Sequence, residues 1–286
     1  MKILITGASG QLGQALAASA PAGADCVALG RAGCDLADPA SITAAVAAHR
    51  PDVLVNAAAY TAVDRAEGEV DLAMRVNGEA PRMMREALAA HGGGRLVQVS
   101  TDFVFDGSSS AAYRPDTRRN PLSVYGLSKA AGEDGAGDGA LIVRTSWVYA
   151  PGGANFVRTM LRLMREREEI GVVADQIGAP TLASGLAATI WALVEHDATG
   201  VYHHRDAGVA SWYDFAVAVQ EEALAVGLLS RAATVCPIPT SAYPTPARRP
   251  PFSLLDDSAT RARIGDTPPH WRTNLRHMLK QEMNLG

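Results

Sequence analysis

The hydrophobic pattern of the first half of the chain alternates between two kinds of segment. Short apolar runs rich in β-branched residues are typical of buried strands, and alanine-rich segments of helical length lie between them. Strands that alternate with helices favour an α/β protein with a doubly wound parallel sheet. The pattern predicts a helix over residues 71–91 and strands at residues 2–6, 26–29, 53–55, 95–100 and 140–144.

The pattern changes near residue 150. An amphipathic, arginine-rich helix is predicted over residues 155–168, and a helix near 184–195 is expected to pack back on the first domain. Residues 237–251 are rich in proline and are predicted to form a loop over a cleft. We therefore expect two domains, residues 1–150 and residues 151–286.

A glycine-rich segment follows the first predicted strand and opens the first predicted helix. Gly7, Gly10 and Gly13 form a G-x-x-G-x-x-G pattern. Glycines let the backbone turn tightly and let a pyrophosphate approach the amides of a helix start, here at Gln11 and Leu12. A simple glycine-rich turn is the alternative, but the flanking strand and helix favour a dinucleotide site. The first domain is thus predicted to be a Rossmann-type dinucleotide-binding domain, and the second a smaller C-terminal α/β substrate domain.

The end of the second predicted strand bears on the choice of cofactor. In a dinucleotide fold, an acidic residue there holds the 2′-hydroxyl of NAD, whereas an arginine accommodates the 2′-phosphate of NADP. Gly30 and Arg31 follow this strand without a carboxylate, so NADPH is favoured and NADH is the second choice. Asp35 and Leu36 come slightly later and are expected to border the adenine. The alternative for Arg31 is an ordinary solvated loop arginine.

Small side chains follow the third predicted strand, where a backbone can approach a cofactor closely. Ligands of open α/β sheets lie just beyond the carboxyl ends of the strands, which is where these positions fall. The residues assigned to this contact are Ala57, Ala58, Ala59 and Thr61.

Tyr125 and Lys129 lie four residues apart in a predicted helix, so they share one face. A cation beside a tyrosine lowers the pKa of the phenol, and such a tyrosine can donate a proton to a carbonyl undergoing reduction. Thr101 follows the fourth predicted strand and could hydrogen-bond the same carbonyl oxygen. Two simpler interpretations stay open: a surface tyrosine with an unrelated lysine, and a threonine that bonds only to its own backbone.

Composition and charge narrow the functional classes. The chain has 286 residues, 48% hydrophobic and 20% charged, as in soluble globular proteins, and its net charge of −4 argues against a general nucleic-acid binder. Three cysteines without a C-x-x-C pair fit a reducing compartment. No apolar run reaches the roughly 18 residues of a bilayer-spanning helix, and the N-terminal apolar run is too short for a signal peptide. A cytoplasmic protein without membrane association is expected.

No metal site is expected. His203 and His204 are adjacent in a predicted strand, so their side chains point to opposite faces. They cannot readily bind one metal ion from the same face.

Several motifs together resemble the extended short-chain dehydrogenase/reductase family along nearly the whole chain. The glycine motif and the segment of Tyr125 and Lys129 belong to the superfamily generally, whereas the later motifs are much narrower. The matching stretches are residues 7–13, 56–64, 100–105, 125–129, 144–149, 175–181 and 239–250.

The resemblance implies NAD(P)H-dependent reduction of the 4-keto group of dTDP-4-dehydro-L-rhamnose to dTDP-L-rhamnose, the last step of dTDP-rhamnose biosynthesis. It implies that Tyr125 protonates the C4 oxygen, that Lys129 holds the nicotinamide ribose and lowers the phenol pKa, and that Thr101 fixes the carbonyl. Other substrate contacts that it implies are Asp102 and Trp147 at the sugar, and Asn155 and Arg248 or Arg249 at the nucleotide.

One departure from the family concerns the oligomeric state. Some members dimerise around a magnesium ion held by glutamates, one of them just after the glycine motif. Here that position is Ala15, and Ser184 stands in place of another glutamate. We therefore expect no magnesium-bridged dimer, but a monomer or a weak homodimer.

Two alternatives share the fold. A sugar-nucleotide dehydratase or epimerase would recycle a tightly held NAD, and the dehydratases carry an Asp-Glu pair where this chain has Asp102 and Phe103. A non-catalytic NADP-binding regulatory subunit, like that of methionine adenosyltransferase, is the second. The intact set of Thr101, Tyr125 and Lys129 argues against it, and NADPH binding without consumption would reveal it.

Overall fold

The computed structural model describes residues 1–284, and in this range the chain forms twelve β-strands and eleven α-helices. The strands are β1 (Lys2–Thr6), β2 (Asp25–Leu29), β3 (Val53–Asn56), β4 (Arg95–Thr101), β5 (Leu141–Thr145), β6 (Val148–Tyr149), β7 (Glu169–Val173), β8 (Ile177–Gly178), β9 (Thr181–Leu182), β10 (Gly200–His203), β11 (Ala210–Ser211) and β12 (Thr234–Ile238). The helices are α1 (Gln11–Ala18), α2 (Pro39–His49), α3 (Val63–Ala66), α4 (Val70–Ala73), α5 (Ala80–Ala90), α6 (Val124–Ala136), α7 (Phe156–Glu166), α8 (Ala183–Glu195), α9 (Trp212–Ala225), α10 (Ser258–Ile264) and α11 (Trp271–Met283).

The largest sheet of the described range has six parallel strands in the order β10-β5-β4-β3-β1-β2. The five strands predicted from the hydrophobic runs are confirmed, each within one residue at its ends. Strands β3 and β5 are buried at every position, as expected where helices cover both faces of a parallel sheet. The predicted doubly wound sheet is thus the observed architecture.

Alternate side chains of the strands pack into two separate hydrophobic cores, one on each face of the sheet. Ile5 packs with Leu16 of α1 and Ile190 of α8 on one face of the sheet. Leu4 packs with Met84 of α5 on the other face. Helix α8 therefore returns from the second half of the chain to cover the main sheet, and β10 extends the same sheet at its edge.

The segment predicted as one helix over residues 71–91 is divided in the structure. Between α4 and α5 lies a π-helical segment, Met74–Glu79. A π-helical turn accommodates an extra residue and is frequent at functional sites. Here it turns Asn77, which is only 2% exposed, toward the loop that follows β3.

The second half of the chain has its own core around the parallel pair β7 and β12. Helix α7 lies within the predicted range 155–168 and buries Val157, Met160 and Met164 against α9 and α11. The expected loop over residues 237–251 begins with the end of β12 and continues with a 3₁₀ turn, Thr240–Ala242. In residues 1–284, none of the helices is both long and apolar enough to cross a bilayer.

Candidate active site

A cleft of about 980 Å³ opens where the strands of the main sheet end. Segments that follow β1, β3, β4 and β5 line one side, and residues of the second half of the chain line the other. Two of the predicted site residues, Gly13 and Asn155, do not line it. Those that do are Gly7, Gly10, Gln11, Leu12, Arg31, Asp35, Leu36, Ala57, Ala58, Ala59, Thr61, Thr101, Asp102, Tyr125, Lys129, Trp147 and Arg249.

Each of the three glycines in the first motif is needed for a different structural reason. Gly7 has a left-handed φ of 76°, and a Cβ there would lie 2.7 Å from the backbone nitrogen of Ala58. Gly10 precedes α1 without a side-chain cap, so the first amides of the helix stay available to a ligand. A Cβ on Gly13 would lie 2.0 Å from the carbonyl oxygen of Gly7. Gly13 therefore lets α1 pack closely on β1 rather than lining the cleft.

Arg31 and Asp35 line the cleft together and form an ion pair. Arg31 Nε lies 3.3 Å from Asp35 Oδ2, with 79% and 36% of the two side chains exposed. The pKa of Asp35 is lowered, mainly because the Ala37 amide donates to the carboxylate, and further by Arg31. An exposed pair of this kind contributes little free energy, so the guanidinium can turn to another anion at small cost.

Asn77 connects the loop after β3 with helix α6, a role that the sequence did not reveal. Its Oδ1 accepts from the Tyr60 amide at 2.8 Å, and its Nδ2 donates to Tyr60 O and to Ser128 Oγ, both at 3.0 Å. Ser128 lies between Tyr125 and Lys129 on α6. One buried amide thus fixes the cofactor-side loop relative to the helix that carries the predicted catalytic pair.

Close packing of α6 on the segment after β4 brings the predicted phenol and hydroxyl into one place. A Cβ on Gly126 would lie 2.3 Å from the carbonyl oxygen of Phe103, so glycine is needed for this approach. Tyr125, in the first turn of α6, meets the Phe103 ring edge-on at 5.6 Å between centroids. Thr101 ends β4, and its hydroxyl is a hydrogen-bond partner that acts on the pKa of Tyr125.

The pKa of Tyr125 shifts in the direction opposite to the one predicted. Burial and the charge of Asp102 raise the pKa and Thr101 lowers it, and the resulting pKa is about 12. Lys129 Nζ donates to the carbonyl oxygen of Val99, at 2.7 Å, and burial decides the direction of the shift in the Tyr125 pKa. The phenol is therefore protonated throughout the neutral range.

Lys129 itself is a buried cation, with 4% of its surface exposed. Burial lowers the pKa of its ammonium to about 8, and the charge of Glu133, one helical turn later, opposes this shift. Arg144 Nη2 lies 2.7 Å from Glu133 Oε2, and Arg119 also binds this carboxylate. Ser100 donates to its other oxygen. Glu133 thus ties α6 to β4 and β5 behind Lys129, another link that the sequence did not reveal.

Two stacked tryptophans form part of the cleft wall. Trp147 and Trp212 stack with ring centroids 3.6 Å apart and planes 11° from parallel. Trp147 has a left-handed φ of 48°, which is uncommon for a large side chain and marks functional sites. A Cβ on Gly178 would lie 3.0 Å from the Trp147 ring, so this glycine leaves the space that the ring occupies. Trp212 was not predicted because it lies in a part of the sequence without a recognisable motif.

Asn155 and Arg249 have protein partners that the sequence did not indicate. Asn155 Oδ1 caps α7 by accepting from the Arg158 amide, and its Nδ2 donates to Gln11 Oε1 at 2.9 Å. These contacts hold α7 against the glycine loop, and the substrate contact of Asn155 stays a prediction. Arg249 lines the cleft but binds the Asp64 carboxylate through both terminal nitrogens.

Among residues 1–284, no group of three or more His, Cys, Asp or Glu side chains is placed to hold a metal ion. The two adjacent histidines have separate partners. His203 Nε2 lies 3.3 Å from Arg144 Nη1, and His204 Nδ1 lies 2.9 Å from Thr189 Oγ1.

Comparison with known proteins identifies the family of this chain. The family described as the RmlD substrate binding domain matches residues 1–284. The chain belongs to this family. A dTDP-4-dehydrorhamnose reductase of Burkholderia thailandensis is 46% identical to this RmlD-family chain, over 95% of the chain and 96% of the relative.

Solved structures with the RmlD-family fold agree closely with this one. A dTDP-4-dehydrorhamnose reductase of Clostridium acetobutylicum superposes with a TM-score of 0.93 at 33% identity, over 99% of this chain and all of that one. The corresponding protein of Bacillus anthracis, solved in complex with NADP, has a TM-score of 0.92 at 35% identity, over 98% and 99% of the two chains.

Proposed function

We propose that this RmlD-family protein uses NADPH to reduce the 4-keto group of dTDP-4-dehydro-L-rhamnose, giving dTDP-L-rhamnose. The observation that carries the proposal is that the Tyr125 phenol and the Thr101 hydroxyl meet in the cleft that the glycine loop also lines. Reduction of a ketone needs one hydride and one proton, and the site supplies a buried proton donor. The relatives named above carry this activity in their names, at 46% and 33% identity over nearly the full chain.

The glycine loop fits the pyrophosphate of a dinucleotide. The space in front of Gly7 would be filled by a Cβ, and the amides at the start of α1 have no side-chain cap. Gln11 and Leu12 would present these amides to the phosphates, and Arg31 would meet the 2′-phosphate. NADPH is therefore the proposed cofactor, with NADH as the second choice; when bound, it supplies the hydride.

In the proposed mechanism, Tyr125 holds the proton that the product alcohol requires. Burial raises the pKa of the phenol, so at neutral pH it is in the acid form. The carbonyl oxygen becomes an alkoxide as it gains electrons, and an alkoxide is a stronger base than a phenolate. Proton transfer from Tyr125 to that oxygen is therefore downhill even with a raised phenol pKa.

Thr101 and Lys129 would stabilise the charges that appear during this transfer. The Thr101 hydroxyl donates to the same oxygen and holds the carbonyl in place. Lys129 uses one of its three N–H donors on Val99, which leaves two for the ribose hydroxyls of the cofactor. Its positive charge on the same face of α6 would offset the phenolate left on Tyr125.

We place the sugar beside Asp102 and Trp147, which line the cleft together with Trp212. In this proposal residues 1–150 hold the cofactor and residues 151–286 supply a large part of the substrate site. We also propose that the protein acts in the cytoplasm, as its three free cysteines suggest, and is a monomer or weak homodimer without bridging magnesium.

The proposal is tested by incubating the purified protein with dTDP-4-dehydro-L-rhamnose and NADPH. We expect stoichiometric NADPH oxidation and a product whose mass and NMR spectrum are those of dTDP-L-rhamnose. Tight NADPH binding without oxidation would instead indicate a regulatory subunit. A product epimerised or dehydrated without net NADPH consumption would indicate the dehydratase or epimerase class.

A further inference from the structure

The hydroxyl of Thr101 has two hydrogen-bond partners within the protein, and in the proposed reaction its single proton must also reach the substrate oxygen. Thr101 Oγ1 lies 3.0 Å from Asp102 Oδ1 and accepts from the Phe103 amide at 3.2 Å. It also lies close enough to Tyr125 to lower the pKa of the phenol. A hydroxyl has one proton and two lone pairs. If Asp102 is ionised, that proton is taken by the carboxylate and is not available to Tyr125 or to a substrate oxygen.

The surroundings of Asp102 shift its carboxyl toward the neutral form. Only 2% of the residue is exposed, and its Oδ2 is buried with no hydrogen-bond partner in the described part of the chain. Burial raises its pKa to about 6, against the lowering effects of the Ser253 and Thr101 hydroxyls and of the Asp102 and Phe103 amides. The titratable group facing it from α6 is Tyr125. Within residues 1–284, no lysine or arginine forms an ion pair with Asp102.

We propose that Asp102 works as a neutral carboxylic acid that donates its proton to Thr101 Oγ1, so that the proton of Thr101 points at the oxygen that Tyr125 protonates. Both lone pairs of Thr101 Oγ1 are then occupied, one by Asp102 and one by the Phe103 amide. The only direction left for the Thr101 proton is into the cleft. Asp102 is thus a positioning residue that acts through Thr101, and this inference rests on the proposed reductase function.

The ionised form would work against proton transfer. Thr101 would donate to Asp102, and its free lone pair would accept the proton of Tyr125, drawing the acid away from the substrate. Bound nucleotide phosphates add negative charge and exclude water, and both effects favour the neutral carboxyl. The structure thus links the direction of two hydroxyl protons to the ionisation of one buried acid.

The first test needs no turnover, so its result is independent of the proposed function. Infrared difference spectra of the whole protein, taken across a titration, should show the carbonyl stretch of a protonated carboxylic acid at about pH 6. Burial also raises the pKa of Asp206, to about 7, so the Asp102 contribution is the part of the band that differs between variants. We expect this part to be lost in Asp102→Asn and retained in Asp106→Asn. Asp106 is the matched control, because it lies outside the cleft lining and amide donors hold its pKa well below its usual range. A band unaffected by Asp102→Asn would overturn the inference.

The second test uses the pH dependence of kcat. In the wild type, kcat should fall about tenfold per pH unit above the pKa of Asp102 in the substrate complex. The amide of Asp102→Asn donates to Thr101 at every pH, so its kcat should change less than about twofold between about pH 6 and about pH 8. A kcat of folded Asp102→Asn that keeps the wild-type dependence on pH would contradict the proposal, whatever its absolute value.

A third variant keeps the proposal testable if Asp102→Asn does not fold. The Ser253 hydroxyl lowers the pKa of Asp102, so Ser253→Ala should raise that pKa. The infrared band and the fall of kcat should then both move to higher pH. A midpoint that stays at the wild-type value in both measurements would overturn the role of Asp102.

Discussion

Asp64 and Arg249, 185 residues apart, form a two-point ion pair that joins the segment after β3 to the C-terminal loop. Arg249 Nη1 lies 3.0 Å from Asp64 Oδ1, and Nη2 lies 2.7 Å from Oδ2. Thr245 and the carbonyl of Ala247 bind the same guanidinium. The pKa of Asp64 is lowered, first by this side-chain hydrogen bond. The pair therefore holds a cleft-lining loop against the cofactor half of the protein.

Removing either partner of this pair should weaken substrate binding more than cofactor binding. We expect Asp64→Ala and Arg249→Ala each to raise the KM for the sugar nucleotide several-fold and to leave the NADPH Kd within about twofold. Because both side chains are partly exposed, their coupling energy should be about 0.5–1 kcal/mol in a double-mutant cycle. Fully additive effects of the two changes would show that the pair does not act as a unit. Arg249→Lys is the matched variant, because an ammonium keeps the charge without the two-point geometry.

Replacing Arg31 should reduce the preference for NADPH. Arg31→Ala removes a charge-assisted contact to the 2′-phosphate, so the NADPH Kd should rise by about tenfold while the NADH Kd changes little. Asp35→Ala should act in the opposite sense, because it removes the carboxylate that competes for Arg31. Fluorescence titration with both cofactors measures this. Equal losses of both cofactors in Arg31→Ala would exclude the 2′-phosphate as its partner.

Lys129 should make stability depend on pH. Its folded pKa of about 8 lies below the ordinary lysine value of 10.5, so between these two values the unfolded state binds more protons than the folded state. The free energy of unfolding should therefore rise with pH in that window, and below it the protein carries the cost of a buried charge. Lys129→Met should remove the rise and be more stable at neutral pH, by on the order of 1–3 kcal/mol. Urea unfolding of both proteins at a series of pH values checks this. A wild-type stability that falls between about pH 8 and pH 10 relative to the variant would contradict it.

The sequence predicted those elements that depend on residues close together in the chain. The five strands follow from short apolar runs, and the glycine loop follows from glycines between a strand and a helix. Tyr125 and Lys129 share a face because they are one helical turn apart. Thr101 ends β4 at the edge of the sheet where ligands bind, and it lines the same cleft as Tyr125 and Lys129.

Features that depend on tertiary packing were not predicted. The π-helical segment that places Asn77 has no periodicity signal, and the buried carboxylate of Glu133 looks like an ordinary surface residue in the sequence. The Tyr125 pKa was predicted with the wrong sign, because its spacing to Lys129 does not reveal that the phenol is buried. The hydrogen bonds of Asn155 to Gln11 and to the Arg158 amide also join residues far apart or in a new helix start, and the sequence pattern did not indicate them.

The most direct test of the account is turnover of Tyr125→Phe with NADPH deuterated at the transferred position. We predict that the wild type places the deuterium on C4 of the product sugar. In the variant, turnover should fall by roughly 10²–10⁴-fold while the NADPH Kd stays nearly unchanged. Tyr243→Phe is the matched control, because Tyr243 is 59% exposed and outside the cleft lining, and it should retain wild-type turnover. Wild-type turnover in Tyr125→Phe would contradict the assignment of Tyr125 as the proton donor.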